Sequence, residues 1–133
     1  MADQAPTIYP SLRYRDARAG IAWLKDTFGF EERVVYENDD GSVGHAELSF
    51  GPSIVMLGSE TDDSYGSHIG QSWLYVAIAD PDERYARAVA AGAEVVRELS
   101  DTDYGSRDFA VRDPEGNLWS FGTYRPAVGE PPL

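Results

Sequence analysis

The sequence predicts an α+β fold made of two βαβββ units in tandem. One observation is a repeat, because three landmarks recur at an offset of 64 residues: Asp16 and Asp80, Gly41 and Gly105, and Gly58 and Gly122. The other is a hairpin, in which the tetrapeptide at residues 113–116 (Asp-Pro-Glu-Gly) separates two apolar-rich runs. Proline presets φ at the second place of a turn and glycine supplies a positive φ, so this tetrapeptide predicts a β-turn.

The first unit, residues 7–58, is predicted to hold one helix among four strands. Asp16 suits the N-cap of a helix over residues 17–28, and Gly29 suits its end. Ile21, Leu24 and Phe28 form its apolar stripe. Apolar runs and period-2 alternation predict strands at residues 7–14, 32–36, 43–50 and 54–57.

The second unit, residues 72–125, repeats this plan after a polar, glycine-rich linker at residues 59–71. Asp80 and Pro81 predict a helix start, with Asp80 as the cap, and Gly92 predicts its end. Strands are predicted at residues 73–79 and 94–99, followed by the two strands of the hairpin. The proline-rich residues 126–133 are expected to form an irregular tail, and the whole chain is expected to be a single domain.

Composition restricts the function. The 133 residues carry a formal net charge of −12, which argues against a nucleic-acid partner and mildly favours a cationic ligand. The alternative is that this charge serves solubility alone. The chain has no cysteine, which excludes disulfides and thiol catalysis. The first residues do not resemble a signal peptide and no stretch approaches membrane-spanning length, so we expect a cytoplasmic protein without a membrane partner.

Each sheet is expected to pack one face on its helix, which leaves a second face that needs another cover. Alternation places these residues on the helix side: Ile8, Leu12, Ala46, Leu48, Phe50, Val55, Leu57, Leu74, Val76, Ile78, Trp119 and Phe121. It places these on the other side: Tyr9, Ser11, Arg13, His45, Glu47, Ser49, Ile54, Met56, Trp73, Tyr75, Leu118 and Ser120. Large aromatic groups mixed with a few polar ones are typical of a ligand pocket, although a solvated face or an oligomer interface is the alternative.

The chain resembles the vicinal oxygen chelate superfamily of glyoxalases, bleomycin-resistance proteins and extradiol dioxygenases. The resemblance covers about residues 7–125 and rests first on the tandem units. It also rests on two stretches of sequence. One runs from residues 13–16 (Arg-Tyr-Arg-Asp) through Trp23-Leu24 to residues 28–30 (Phe-Gly-Phe), and the other runs from Asp113 to Trp119. It implies that each sheet forms a half-barrel, that the site lies in the concave cavity, and that the protein is a homodimer.

Enzymes of that superfamily place His, Glu or Gln metal ligands on the first and last strands of each unit. The resemblance puts those positions at Tyr9, Met56, Trp73 and Ser120. None suits a divalent ion, because Tyr is a rare ligand, Trp has no acceptor, Met is soft and neutral Ser is weak. The chain is therefore similar to the bleomycin-resistance branch, whose members sequester a drug without a catalytic metal, and we expect no cofactor and no catalytic residue.

The first interpretation is thus a metal-independent protein that binds a bleomycin-like or aromatic drug, favouring a cationic one. Stacking and buried area are expected to come from Tyr9, Met56, Trp73 and Tyr75. Polar groups expected to orient the ligand are Ser11, Arg13, His45, Glu47, Ser49 and Ser120. Arg13 has two possible roles, either pairing with a ligand anion or pairing with Glu47 across the sheet.

Two other interpretations remain open. One is a lyase, isomerase or dioxygenase of the same superfamily, either metal-free or with a metal held by His45 and Glu47 and aided by His68. The other is an interaction module whose mixed face is only a dimer interface.

Overall fold

The computed structural model describes residues 5–61 and 68–131, and these form the predicted α+β fold with two βαβββ units. The first unit comprises β1 (Ser11–Tyr14), α1 (Ala17–Phe28), β2 (Glu31–Glu37), β3 (Val43–Phe50) and β4 (Ser53–Ser59). The second comprises β5 (Trp73–Ala77), α2 (Pro81–Ala90), β6 (Glu94–Asp101), β7 (Arg107–Arg112) and β8 (Leu118–Gly122). Within the described ranges, no helix is both long and apolar enough to cross a bilayer.

Each unit contributes one four-stranded sheet, and the two sheets have the same topology. The strand orders are β1-β4-β3-β2 and β5-β8-β7-β6. The first strand of each unit runs parallel to the last, and the other pairs are antiparallel. The sequence repeat is therefore a repeat of strand pairing as well.

The two helices begin differently. The Asp16 carboxylate accepts a hydrogen bond from the Ala19 amide at 3.1 Å, as an N-cap does, and α1 ends at Gly29 with φ +74°. Asp80 occupies the N-cap position of α2 as expected, but its side chain makes no such hydrogen bond. Its carboxylate instead accepts from Arg84 Nε, one turn further along α2, at 3.1 Å.

The helix sides of the two sheets share one hydrophobic core. Phe28 of α1 stacks on Phe121 of β8, with ring centroids 4.0 Å apart. Phe30 meets Trp119 edge to face at 5.8 Å, and Arg84 of α2 lies 4.9 Å above the Phe50 ring of β3. Side chains of each unit therefore pack against aromatic rings of the other unit.

The hairpin turn adds a buried polar link between the units. Asp113 is 4% exposed, and its Oδ2 accepts from Tyr14 Oη at 2.6 Å, Asn117 Nδ2 at 2.9 Å and Trp119 Nε1 at 3.2 Å. Its Oδ1 accepts from the amides of Glu115 and Asn117. Burial, reinforced by Asp113, raises the pKa of the Tyr14 hydroxyl far above its ordinary value.

Several predicted boundaries are corrected. The first strand begins at Ser11 rather than residue 7, because Pro10 has no amide hydrogen and pairing with β4 starts at Ser11. Ile8 consequently leaves the helix side and is 85% exposed. The fifth strand ends at Ala77 rather than residue 79, because its partner β8 ends at Gly122. Ser59 belongs to β4 rather than to the linker, of which residues 62–67 lie outside the described residues.

Candidate functional site

The face of each sheet opposite the helices, here called the open face, carries the candidate residues. In the first sheet it presents Ser11, Arg13, His45, Glu47, Ser49 and Met56, all exposed or half-buried. In the second sheet Trp73 is 73% exposed and Tyr75 is 42% exposed, whereas Trp119 and Phe121 on the helix side are fully buried. Tyr9 precedes β1 and is 36% exposed.

Strand register aligns the candidates of the first sheet into rows. Met56 of β4 pairs with Ser11 of β1 on one side and with Glu47 of β3 on the other. Ser49 pairs with Ile54 in the neighbouring row. Paired residues point to the same face, so one row combines a thioether, a hydroxyl and a carboxylate.

An ion-pair cluster surrounds Glu47. Its Oε2 lies 2.9 Å from His45 Nε2, and its Oε1 lies 3.3 Å from Arg33 Nε. The hydrogen bond from His45, followed by that from Arg33, holds the pKa of the Glu47 carboxyl below its ordinary value. Sequence analysis offered Arg13 as the partner, but β2 rather than β1 is the neighbour of β3 in this sheet. Arg13 Nη1 donates to the Ser59 carbonyl at 3.1 Å.

Hydrogen bonds hold both exposed aromatic side chains of the second sheet. Trp73 Nε1 donates to Ser120 Oγ at 2.9 Å, and Tyr75 Oη donates to the Tyr124 carbonyl at 2.7 Å. Burial raises the pKa of the Tyr75 hydroxyl above its ordinary value, and the Asp108 carboxylate acts in the same direction. The indole and the phenol are therefore presented in fixed positions.

Two cavities lie beside β5, one at its seam with β1 and the other between β5 and the turn that joins β3 to β4. One, of about 410 Å³, is lined by Ser11, Trp73 and Tyr75 together with Pro10, Leu12, Ser72 and Leu74. The other, of about 490 Å³, is mainly apolar and includes Phe30, Phe50, Ile54, Tyr75 and Arg125 in its lining. Tyr75 borders both cavities, so the seam brings candidate residues of the two units together.

Comparison with known proteins identifies the family. Residues 8–121 match the sequence profile of the Glyoxalase/Bleomycin resistance protein/Dioxygenase superfamily. The chain belongs to this superfamily. An uncharacterized protein of Mycobacterium tuberculosis, Rv0887c, is 30% identical over 125 residues, covering 88% of this chain and 74% of the relative.

Solved structures share this fold. The crystal structure of TioX from Micromonospora sp. ML1 is 33% identical, with a TM-score of 0.76, covering 89% of this chain and 98% of TioX. Lactoylglutathione lyase from Agrobacterium tumefaciens is 22% identical, with a TM-score of 0.68, covering 88% and 93% of the two chains. At that lower identity the likeness to the lyase shows the fold alone.

The donor set does not fit the metal of the superfamily's enzymes. The four positions carried over from them hold Tyr9, Met56, Trp73 and Ser120, and Trp73 is already bonded to Ser120. Among residues 5–61 and 68–131, no three Asp, Glu or His side chains converge as ligands would. His45 and Glu47 provide two donors, fewer than the usual three or four, and Arg33 shares that carboxylate.

Other predicted and missed residues can now be placed. His68 is exposed, beyond the part of the linker that the structure leaves undescribed. Sequence analysis missed Arg33 and, on the open face of the second sheet, the buried Asp108. The signal for Asp108 was alternation along β7, which directs Phe109 and Val111 to the core and Asp108 to the opposite face.

Proposed function

We propose that this chain is a cytoplasmic, metal-independent binding protein that sequesters a bleomycin-like or flat aromatic drug. The supporting observation is the Trp73 indole, which is 73% exposed yet anchored to Ser120, at two positions where the superfamily's enzymes place metal ligands. A large exposed ring held by one hydrogen bond can stack on an aromatic ligand at little further cost in side-chain entropy. Tyr75, beside it in the seam, offers a second surface.

The remaining candidates are proposed to complete the pocket. Tyr9 and Met56 would add apolar contact, and the polar groups of the open face would orient the ligand: Ser11, Arg13, His45, Glu47, Ser49 and Ser120. The net charge of −12 favours the approach of a cationic drug.

Calorimetric titration with bleomycin and with daunorubicin tests the stacking role. For whichever of these drugs binds the unmodified protein, we expect Trp73→Ala to weaken the affinity by about 30-fold, the loss typical of an interface hot spot. Ser120→Ala, which keeps the ring but removes its anchor, should cause a smaller loss. Val96→Ala removes an exposed apolar side chain from β6 and serves as the control. Unchanged drug affinity in a folded Trp73→Ala protein would refute the proposal.

Metal independence is tested separately by elemental analysis after incubation with nickel, manganese, iron(II) or zinc and desalting. Less than about a tenth of an equivalent is expected, because the donor set is too small for tight binding. One tight equivalent per chain, abolished by His45→Ala, would instead favour the superfamily's lyase, isomerase or dioxygenase chemistry.

We further propose that the protein is a homodimer, with the open faces of two copies enclosing the ligand. The exposed aromatic groups Tyr9, Trp73 and Tyr75 support this arrangement, because such a cluster is more typical of an interface or pocket than of a solvated surface. Sedimentation equilibrium should give twice the chain mass. A monomer at all concentrations would argue against this proposal and also against the dimer-interface alternative.

A further inference from the structure

A buried carboxylate lies beneath the open face of the second sheet. Asp108 of β7 is 7% exposed and pairs with Gly122 of β8, which in turn pairs with Ala77 of β5. The glycine makes room for the carboxylate, because a Cβ at Gly122 would lie 2.0 Å from Asp108 Oδ1. The same Cβ would lie 2.7 Å from Tyr75 Oη, so the phenol reaches the same spot.

This carboxylate is bound by hydroxyl groups rather than by a cation. Ser106 Oγ donates to Asp108 Oδ1, and Tyr104 Oη donates to Oδ2 at 3.3 Å. In the part of the chain that the structure describes, no Lys, Arg or His forms an ion pair with Asp108. A buried carboxylate without a cation is costly, and two hydroxyls leave part of its acceptor capacity unused.

Aromatic rings surround the same spot. Tyr104 and Tyr124 meet edge to face with centroids 6.1 Å apart, and Tyr75 Oη is bonded to the Tyr124 carbonyl. Tyr75 and Tyr104 are 42% and 47% exposed, so part of each ring beside the buried carboxylate is open to a ligand. Aromatic faces combined with a carboxylate are the chemistry that recognises alkylated ammonium groups.

A metal ion fits this place less well. Divalent ions need several carboxylate or imidazole donors, whereas Asp108 is the one carboxylate of this cluster and its neighbours are hydroxyl groups. Arg125, the cation at the end of the same sheet, donates to the Ala77 carbonyl at 3.2 Å and not to Asp108.

We propose that Asp108, Tyr75 and Tyr104 form a binding site for an alkylammonium group of the ligand. This rests on the proposed small-molecule binding function and narrows it to ligands that carry an amine or quaternary ammonium group. The carboxylate supplies the charge, and the two phenol rings supply cation–π contacts.

Titration with benzyltrimethylammonium, followed by amide chemical shifts, tests the site, with benzyl alcohol as the uncharged probe. We expect shifts centred on Gly122 and Tyr104 with the cation and much weaker ones with the alcohol. Asp108→Asn, which keeps an acceptor for Ser106, should weaken the affinity for the cation by about tenfold or more. Asp39→Asn makes the same change in net charge at an exposed turn and should leave affinity within about twofold.

Equal affinity in the Asp108→Asn and Asp39→Asn variants would overturn the proposal. So would shifts centred elsewhere, or no saturable binding up to about 50 mM, a limit that allows for the weak affinity of so small a probe. Should Asp108→Asn fail to fold, Tyr104→Phe is the second variant, because Tyr104 is half-exposed and its hydroxyl donates to the Asp108 carboxylate. This variant should change the affinity for the cation but not the affinity for benzyl alcohol. Drug binding that depends on Trp73 yet is unchanged by Asp108→Asn would refute the ammonium site while the sequestration proposal stands.

Discussion

Asp113 is the residue at which a change of a single atom is expected to damage the fold most. Asp113→Asn keeps the size of the side chain but replaces one acceptor oxygen with an NH₂ donor. In the structure five donors converge on the carboxylate, three on Oδ2 and two on Oδ1. In either orientation the new NH₂ therefore faces two N–H groups that cannot accept from it.

The cheaper orientation directs the new NH₂ toward the backbone amides of Glu115 and Asn117, which sacrifices two bonds. Hydrogen bonds to a charged group contribute about 1.5–3 kcal/mol each, so two of them amount to about 3–6 kcal/mol. Typical domains have about 5–15 kcal/mol of total stability. The substitution should therefore remove a large part of the free energy of unfolding.

Urea unfolding, followed by tryptophan fluorescence, measures this loss directly, because Trp119 is fully buried and bonded to Asp113. Asp101→Asn is the matched control, since that carboxylate is exposed and forms a surface ion pair with Arg107. It should cost less than about 1 kcal/mol. A loss below about 1 kcal/mol for Asp113→Asn, with an unchanged m-value, would show that the network does not join the units as argued.

Three further predictions concern Tyr14, Gly20 and Glu47. Because the folded-state pKa of Tyr14 is raised, stability should fall above about pH 10, where the unfolded tyrosine ionises, by about 1.4 kcal/mol per pH unit. Tyr14→Phe should flatten that slope in urea melts between about pH 9 and 12, and an unaltered slope would contradict the assignment. Gly20→Ala should destabilise by about 1 kcal/mol in thermal melts, because its Cβ would lie 2.8 Å from the Tyr14 ring and this outweighs the gain in helix propensity. His45→Ala should raise the pKa of Glu47 in an NMR titration more than Arg33→Ala does, and the reverse order would contradict the geometry.

Elements with local signals were predicted well. The bounds of α1 and β3 agree with the sequence analysis, because Asp16 and Gly29 mark the helix ends and the two faces of β3 alternate from His45 to Phe50. The first strand was placed wrongly because its residues alternate from Thr7 onward, while pairing with β4 decides where a strand begins. Local pattern therefore predicts the type of element, and tertiary pairing sets its ends.

The candidate site likewise has features that local pattern predicts and features that depend on tertiary pairing. Within the strands, period-2 alternation predicted the exposure of Trp73 and Tyr75, whereas it failed for Ile8, which precedes β1. The pairing of Arg33 with Glu47 was not, because it depends on β2 lying beside β3. Asp108 was missed although its partners Tyr104 and Ser106 lie only four and two residues earlier. Nothing in a run of hydroxyl residues distinguishes a hydrogen-bonded cluster from an ordinary turn.

The repeat places different side chains beside two equivalent glycines, one in each unit. Gly58 and Gly122 are related by the 64-residue offset, and each leaves space above the end of its unit's last strand. Above Gly122 that space holds the carboxylate of Asp108, whereas the matching residue of the first unit is Gly44. Above Gly58 the guanidinium of Arg13 approaches instead, at 3.5 Å from where a Cβ would lie. The same backbone plan therefore places a guanidinium beside the glycine of one unit and a carboxylate beside the matching glycine of the other.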